Sequence, residues 1–299
     1  MNVPKVSVFI VCYNQKDYIS QAIESALNQD YGNFEIIVSD DASKDGTAKI
    51  VEDWAKKNPD KIIALIGNEN VGITRNWNRA LRACTGEFIT YICGDDLMLP
   101  GKIAAQVDWF SRDSRRVLCG HAVQNIISDG SVCPHDWPSD LNEGYGYDAH
   151  IRHGMQLPSQ SFMVRATAIP KSGFNERIPI ACDFLFIVDV LSGGGQYGYV
   201  DGIYGKYRIH DGNITKNIKS VFSDLRRTYL IIARKYPEYK KISRELIVRH
   251  CVYYEGVIYL RDGYRRDAIR SFIKTIKLKP FYVKAWVRLI QALFSKSKV

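Results

Sequence analysis

The chain has no Cys-x-x-Cys pair. Its seven cysteines, at 12, 84, 93, 119, 133, 182 and 251, are scattered and odd in number. That pattern excludes a disulfide framework and a zinc ribbon, and points to reduced thiols in a cytosolic setting. No apolar run approaches the roughly 20 residues that cross a bilayer. The opening stretch, MNVPKVSVFIVCYN, is too short in its apolar run for a signal peptide and lacks a small-residue cleavage site, so none is expected. A Walker A sequence is missing too. The literal GxGxxG match, Gly193 to Gly198, follows a predicted helix and leads into a predicted strand, the reverse of the dinucleotide-binding order. His150 and His153 sit beside a long loop without companion ligands.

The 299 residues are 46% hydrophobic and 24% charged, ordinary for a soluble globular protein with one large domain and an appendage. The net charge of +9 hides a division. Residues 1–215 hold 20 Lys and Arg against 26 Asp and Glu, whereas residues 216–299 hold 21 against 6, a net of +15. The basic character therefore belongs to a separate C-terminal module with an anionic partner.

Continuous apolar, β-branched runs predict strands buried on both faces at Lys5–Val11, Phe34–Val38, Ile62–Ile66 and Phe88–Ile92. Amphipathic helices are expected between them, over Asp17–Asn28, Thr47–Lys57 and Thr74–Ala83. This alternation predicts an α/β fold around a mainly parallel sheet. Ligands in such sheets lie beyond the carboxyl ends of the strands, and Tyr13-Asn14, Asp40-Asp41 and Asp95-Asp96 all fall there. The adjacent carboxylates of Asp95 and Asp96, at the end of a buried strand, are costly unless a positive group such as a hard divalent cation sits on them.

Farther along, a helix is expected over Lys102–Phe110 and strands over Val117–Ile127, Gln160–Val164, Tyr197–Val200 and Ile203–Ile209. Between them lie a helix over Asp183–Leu191 and a loop over 128–150 that could cover an acceptor site. From Ser220 onward the period is helical: Val221–Tyr236, Ile242–Leu260, Arg265–Leu278 and Tyr282–Phe294. Gly256, Tyr259, Ala268, Phe272 and Pro280 have the spacing of one tetratricopeptide repeat, which a simple helical hairpin explains equally well.

The ordered set VSVFIVCYNQKDYISQAIESALNQDYGNFEIIVSDDASKDGT, then NENVGITRNWNRALRACTGEFITYICGDD, resembles the amino-terminal half of the inverting nucleotide-sugar glycosyltransferases of family two. The resemblance covers roughly residues 4–215. It implies a Rossmann-like GT-A fold in domain 1–215, followed by a basic helical domain 216–299. It also implies a nucleoside-diphosphate sugar, most simply a UDP-sugar, as donor and a glycan or lipid-linked acceptor, in surface polysaccharide or lipopolysaccharide synthesis.

Carried over residue by residue, the resemblance sets Val11, Tyr13 and Asn14 against the nucleotide. Asp41, with Asp40, accepts from the base, and Arg75 stands near the diphosphate, with Gly72 opening the backbone. Asp95 lies near ribose and metal, and Asp96, with His210 of the Tyr207-Arg208-Ile209-His210 stretch, is placed at Mn2+ or Mg2+. Asp183 becomes the catalytic base. Two departures stand out: Cys93 replaces the first acid of the usual Asp-x-Asp, and Cys182 replaces a Glu before Asp183. Alternatives are a sugar-1-phosphate nucleotidyltransferase, which would need a Gly-rich basic loop where Cys12-Tyr13-Asn14-Gln15 stands, and an inactive scaffold carrying a helical interaction module.

The basic tail carries no recognisable nucleic-acid module. Trp286, Leu289, Ile290 and Phe294 against Lys284, Arg288 and Lys296 give instead the pattern of a helix at an anionic membrane face. A cytoplasmic protein, peripheral on the inner face of the membrane, is the expectation.

Overall fold

The computed structural model describes residues 3–133, 147–153 and 158–295. The chain divides into two compact units, Met1–Asn213 and Ile214–Val299.

In the first unit β1 (Val6–Cys12), α1 (Ile19–Leu27), β2 (Phe34–Asp40), α2 (Thr47–Lys57), β3 (Ile62–Ile66), α3 (Ile73–Ala83) and β4 (Phe88–Cys93) alternate. β1 and β2 are buried over their whole length, which is why they read as unbroken apolar runs rather than alternating ones. The four strands pair in parallel in the order β3-β2-β1-β4. Val8, Ile10, Ile36 and Val38 form one core cluster with the buried stripe Ile19, Ala22, Ile23 and Ala26 of α1. Emptying any of the larger of these positions to Ala costs about 2–5 kcal/mol.

The chain continues through β5 (Leu97–Met98), α4 (Lys102–Ser111), β6 (Arg116–Ile127), α5 (Tyr147–His153), β7 (Met163–Arg165), α6 (Cys182–Ser192) and β8 (Gln196–Ile209). These extend the sheet from β4 in the order β7-β6-β8-β5. β6 and β8 are parallel, while β7 runs antiparallel to both β4 and β6, and β5 antiparallel to β8. The parallel half is thus joined to a mixed half.

Three expectations are corrected here. The strands expected at Tyr197–Val200 and Ile203–Ile209 are one strand, β8, whose register against β6 shifts around Ala122, with Gly202 taking up the irregularity at φ 120°. The strand expected at Gln160–Val164 is a 3₁₀ turn, Ser159–Ser161, followed by the shorter β7. In the turn the Ser161 N–H donates to the Pro158 carbonyl at 2.9 Å, and the Gln160 carbonyl accepts from the buried Lys102 ammonium at 2.8 Å. Of the loop expected over 128–150, positions 134–146 lie outside the described residues, and Tyr147–His153 is helical.

The second unit holds α7 (Ile218–Lys235), α8 (Lys240–Leu246), a π-helical stretch Ile247–Tyr253, α9 (Tyr254–Arg261), α10 (Arg265–Leu278) and α11 (Val283–Phe294). Ala268 and Phe272 of α10 are buried together with Ala285 and Ala292 of α11. Gly256 lets α9 approach closely: a Cβ there would lie 2.8 Å from the Phe272 ring. That contact is common to a simple helical hairpin and to a single tetratricopeptide repeat.

Candidate functional site

In the order β3-β2-β1-β4 the chain leaves β1 toward β2 on one side, while β4 lies on the other. The carboxyl ends of β1 and β4 therefore form the switch point beyond which ligands of such sheets bind. The two ends are laced together by the Gly94 N–H, which donates to the Val11 carbonyl at 2.9 Å. Gly94 has no room for a side chain: a Cβ would stand 2.7 Å from Gln15 Oε1 and 2.8 Å from Cys12 Cβ.

Immediately after it, Asp95 and Asp96 are 8% and 1% exposed. Cys93 Sγ and a carboxylate oxygen from each aspartate lie within 4.8 Å of one another. His210 places Nε2 2.9 Å from Asp95 Oδ2, and its ring centroid is 4.9 Å from that of Tyr18. Arg208 organises the corner from beneath. Its backbone N–H donates to Asp96 Oδ1 at 2.9 Å, and its Nε donates to the Asp95 carbonyl at 2.9 Å. The remaining guanidinium nitrogens reach Gln21 Oε1 at 2.8 Å and the Ser128 carbonyl at 3.1 Å. With its amide nitrogen turned inward, Gln160 donates to the Asp96 carboxylate as well.

Burial, then the neighbouring Asp95 charge, push the Asp96 carboxyl well above the ordinary range, and the Arg208 N–H and guanidinium offset only part of this. Burial and the same two aspartates push the Cys93 thiol up. Both groups are thus held toward their neutral forms until a positive charge is placed beside them. Two carboxylates with a thiol and an imidazole at their side are a donor set that suits a divalent cation.

The remaining sequence-named residues are placed as follows. Asp41, almost fully buried, accepts from Val71 N–H at 3.1 Å and Gly72 N–H at 2.9 Å, the latter at the φ 86° position that opens α3. Asp40 is turned into its own loop, accepting from Ser43 N–H at 2.9 Å and from the Ser43 hydroxyl. Asn14, at φ 51°, caps the same loop by accepting from Lys44 N–H at 2.8 Å. Val11 is buried in the strand, whereas the Tyr13 ring is 45% exposed at the strand's end. Arg75 pairs with Glu176 at 3.2 Å on the surface.

Asp183 stands in the first turn of α6, its Oδ1 accepting from Phe184 N–H at 2.8 Å. Burial raises its pKa, and the hydrogen bonds from Phe184 and Ser159 pull the other way. Its charge adds to the upward push that burial gives the Tyr91 hydroxyl and the Cys93 thiol of β4. The segment leading to it is clasped by α3. Asn78 exchanges hydrogen bonds with Phe174 at 2.8 and 2.9 Å, and the Thr74 hydroxyl donates to the Ile178 carbonyl at 2.6 Å.

Sequence reasoning gave no role to Arg208, Gln160 or Lys102. Arg208 carried a signal, since it stands between Tyr207 and His210 in the quoted stretch. The other two carried none, because their partners come from distant elements.

A half-parallel sheet extended by antiparallel strands, with acidic groups gathered at its switch point, defines the class: an α/β domain of the GT-A type. The fold agrees with that of S. aureus TarS (residues 1–349, in complex with UDP-GlcNAc), at TM-score 0.70 and 17% identity over 96% of this chain and 89% of that one. It also agrees with that of the mannosyltransferase PcManGT from Pyrobaculum calidifontis (in complex with GDP-Man and Mn2+), at TM-score 0.63 and 18% identity over 98% and 87%. The chain belongs to glycosyl transferase family 2, whose family model matches residues 7–169. Among relatives, chondroitin synthase of Escherichia coli is 30% identical over 213 residues, 71% of this chain and 30% of the synthase. Hyaluronan synthase of Pasteurella multocida is 28% identical over 213 residues, 71% and 21% respectively. The chain thus spans less than a third of the length of either synthase.

Proposed function

We propose that the protein transfers a sugar from a nucleoside-diphosphate sugar, with inversion, to a glycan or lipid-linked acceptor in surface polysaccharide or lipopolysaccharide synthesis. The observation that carries this is the gathering of Asp95, Asp96 and His210 at the carboxyl end of β4. A UDP-sugar is the favoured donor, in keeping with the UDP-GlcNAc bound by TarS.

Tyr13 offers a flat, exposed face for a base, with Val11 and Asn14 shaping the floor beside it. Asp41 keeps lone pairs beyond the two backbone bonds it accepts, and these serve a base N–H. Asp40 holds that loop in shape, and Arg75 is free to exchange its exposed surface pair for a diphosphate. Asp95 and Asp96, with His210, would hold Mn2+ or Mg2+, which when bound supplies positive charge opposite a departing diphosphate.

Asp183 accepts the proton of the acceptor hydroxyl as that oxygen bonds to the anomeric carbon from the rear. The bond from that carbon to the diphosphate oxygen breaks, and nucleoside diphosphate leaves. A carboxylate whose pKa burial has raised is a stronger base than an ordinary one. The seven cysteines are all free, which supports the cytoplasm as the setting. With a lipid-linked acceptor the enzyme works as a peripheral protein, its basic helical unit toward the membrane.

The test is nucleoside-diphosphate release from a panel of nucleotide sugars with and without Mn2+. Asp183→Asn is expected to bind nucleotide like the parent and lose at least a hundredfold in turnover. Parent-rate transfer by Asp183→Asn would move the base elsewhere, and absence of both turnover and nucleotide binding in the parent would leave the scaffold alternative standing.

A further inference from the structure

The last helix of the second unit turns two kinds of surface outward. At 100° per residue, Val283, Trp286, Val287, Ile290, Leu293 and Phe294 of α11 fall within one arc of about 120°. All six are exposed, Phe294 at 86%, and Phe281, just before the helix, is 97% exposed. The opposite arc, Ala285 and Ala292 with Leu289 beside them, is the one that packs on the neighbouring helices. A third arc carries Lys284, Arg288 and Gln291, all exposed. A row of seven large apolar side chains left to water is more than a soluble surface ordinarily carries. Trp286 is held in place, its Nε1–H donating to the Pro280 carbonyl at 2.8 Å.

Charge decides between occupants. A second copy seated on this face would bring together two modules that each carry 21 basic against 6 acidic residues over 216–299, a repulsion that nothing on the helix offsets. Among the described residues no helix is long and apolar enough to cross a membrane, so insertion across the bilayer is not what the row serves. An anionic lipid surface satisfies both halves at once, taking the apolar row into its interface while its headgroups meet the flanking basic side chains.

We propose that α11 is an interfacial anchor lying flat in an anionic membrane surface, with Phe281, Ile290 and Phe294 as its inserted side chains and Lys284 and Arg288 at the headgroups. This rests on the second unit alone and does not depend on the sugar-transfer reading of the first.

The test is co-sedimentation of the full chain with phosphatidylcholine vesicles and with vesicles containing phosphatidylglycerol, at low and high salt. Ile290→Glu/Phe294→Glu and Lys284→Glu/Arg288→Glu are run beside the parent. The parent is expected to bind the anionic vesicles at least tenfold more tightly than the neutral ones and to be released by salt. Each basic residue near such a surface is worth about fivefold, so reversing two weakens binding by roughly 25-fold or more. The apolar double variant is expected to lose at least tenfold while nucleotide binding and the helical circular dichroism stay at parent values. Equal binding to neutral and anionic vesicles, no binding to either, or parent-like binding by either variant would overturn the proposal. So would a parent dimer in sedimentation velocity that the apolar variant dissolves, which would give the face to a second copy.

Discussion

Replacing Arg208 by Met tests how the acidic corner is held. Arg208 is 1% exposed and its guanidinium lies 4.9 Å over the Tyr18 ring. The variant removes the donor to the Asp95 carbonyl, a bond inside the fold at 2.9 Å. Leaving that acceptor unpaired costs about 1–3 kcal/mol. The bonds to Gln21 and the Ser128 carbonyl go as well, but both residues are exposed and water replaces the donor there. Loss of the guanidinium also removes a charge that partly offsets Asp96. The expected loss is about 1–3 kcal/mol, read as a lower urea midpoint at unchanged slope. Arg208→Lys keeps the charge but not the planar fork and should recover about half. Without the guanidinium the Asp96 carboxyl is pushed up further, so divalent-cation-dependent nucleotide binding, followed by titration calorimetry, should weaken at least tenfold in Arg208→Met. A variant with the parent's midpoint and the parent's cation dependence would refute the idea that this side chain holds the corner.

Other consequences are equally direct. Because burial raises the pKa of Asp183, the acid limb of the turnover–pH profile should lie above the ordinary aspartate range, with activity rising as that group loses its proton; a limb at the unperturbed value would separate the limb from Asp183. Gly94→Ala drives a methyl group to 2.7 Å from Gln15 Oε1 and should cost about 1–3 kcal/mol in thermal or chemical unfolding, with nucleotide affinity falling as the ends of β1 and β4 part. Glu35 bonds to Lys5, Ser7 and Thr85; burial opposes its ionisation, but these donors outweigh it and hold the carboxyl at about 2. Its contribution is therefore complete above about pH 4.5 and is lost as pH falls toward about 2, since the unfolded chain takes up the proton first. The ceiling is about 3 kcal/mol, and the partly exposed Lys5 reduces it to about 1–2. Glu35→Gln should flatten the acid limb of the stability–pH curve over that interval, and an unaltered limb would assign the acid lability to other carboxylates.

Local chemistry alone carried the element order as far as β4, the parallel half of the sheet that those strands form, and the positions beyond their ends. A strand buried on both faces must be apolar at every position, so β1 and β2 announce themselves without reference to any partner. The helical period of the second unit is legible for the same reason, each helix showing its apolar arc within a few turns. What only the tertiary structure decided is which polar groups meet. Asp96 and the Arg208 backbone stand 112 positions apart, and no periodicity registers such a pair. A separation of 58 positions likewise hid the bond from Lys102 to the Gln160 carbonyl, at the 3₁₀ turn where a strand was expected. Two adjacent aspartates look alike on paper, yet Asp40 faces inward to order its loop while Asp41 receives the start of α3. Backbone pattern is set by neighbours along the chain, whereas the direction and partner of a buried polar side chain are set by whatever donors the closed fold brings to it.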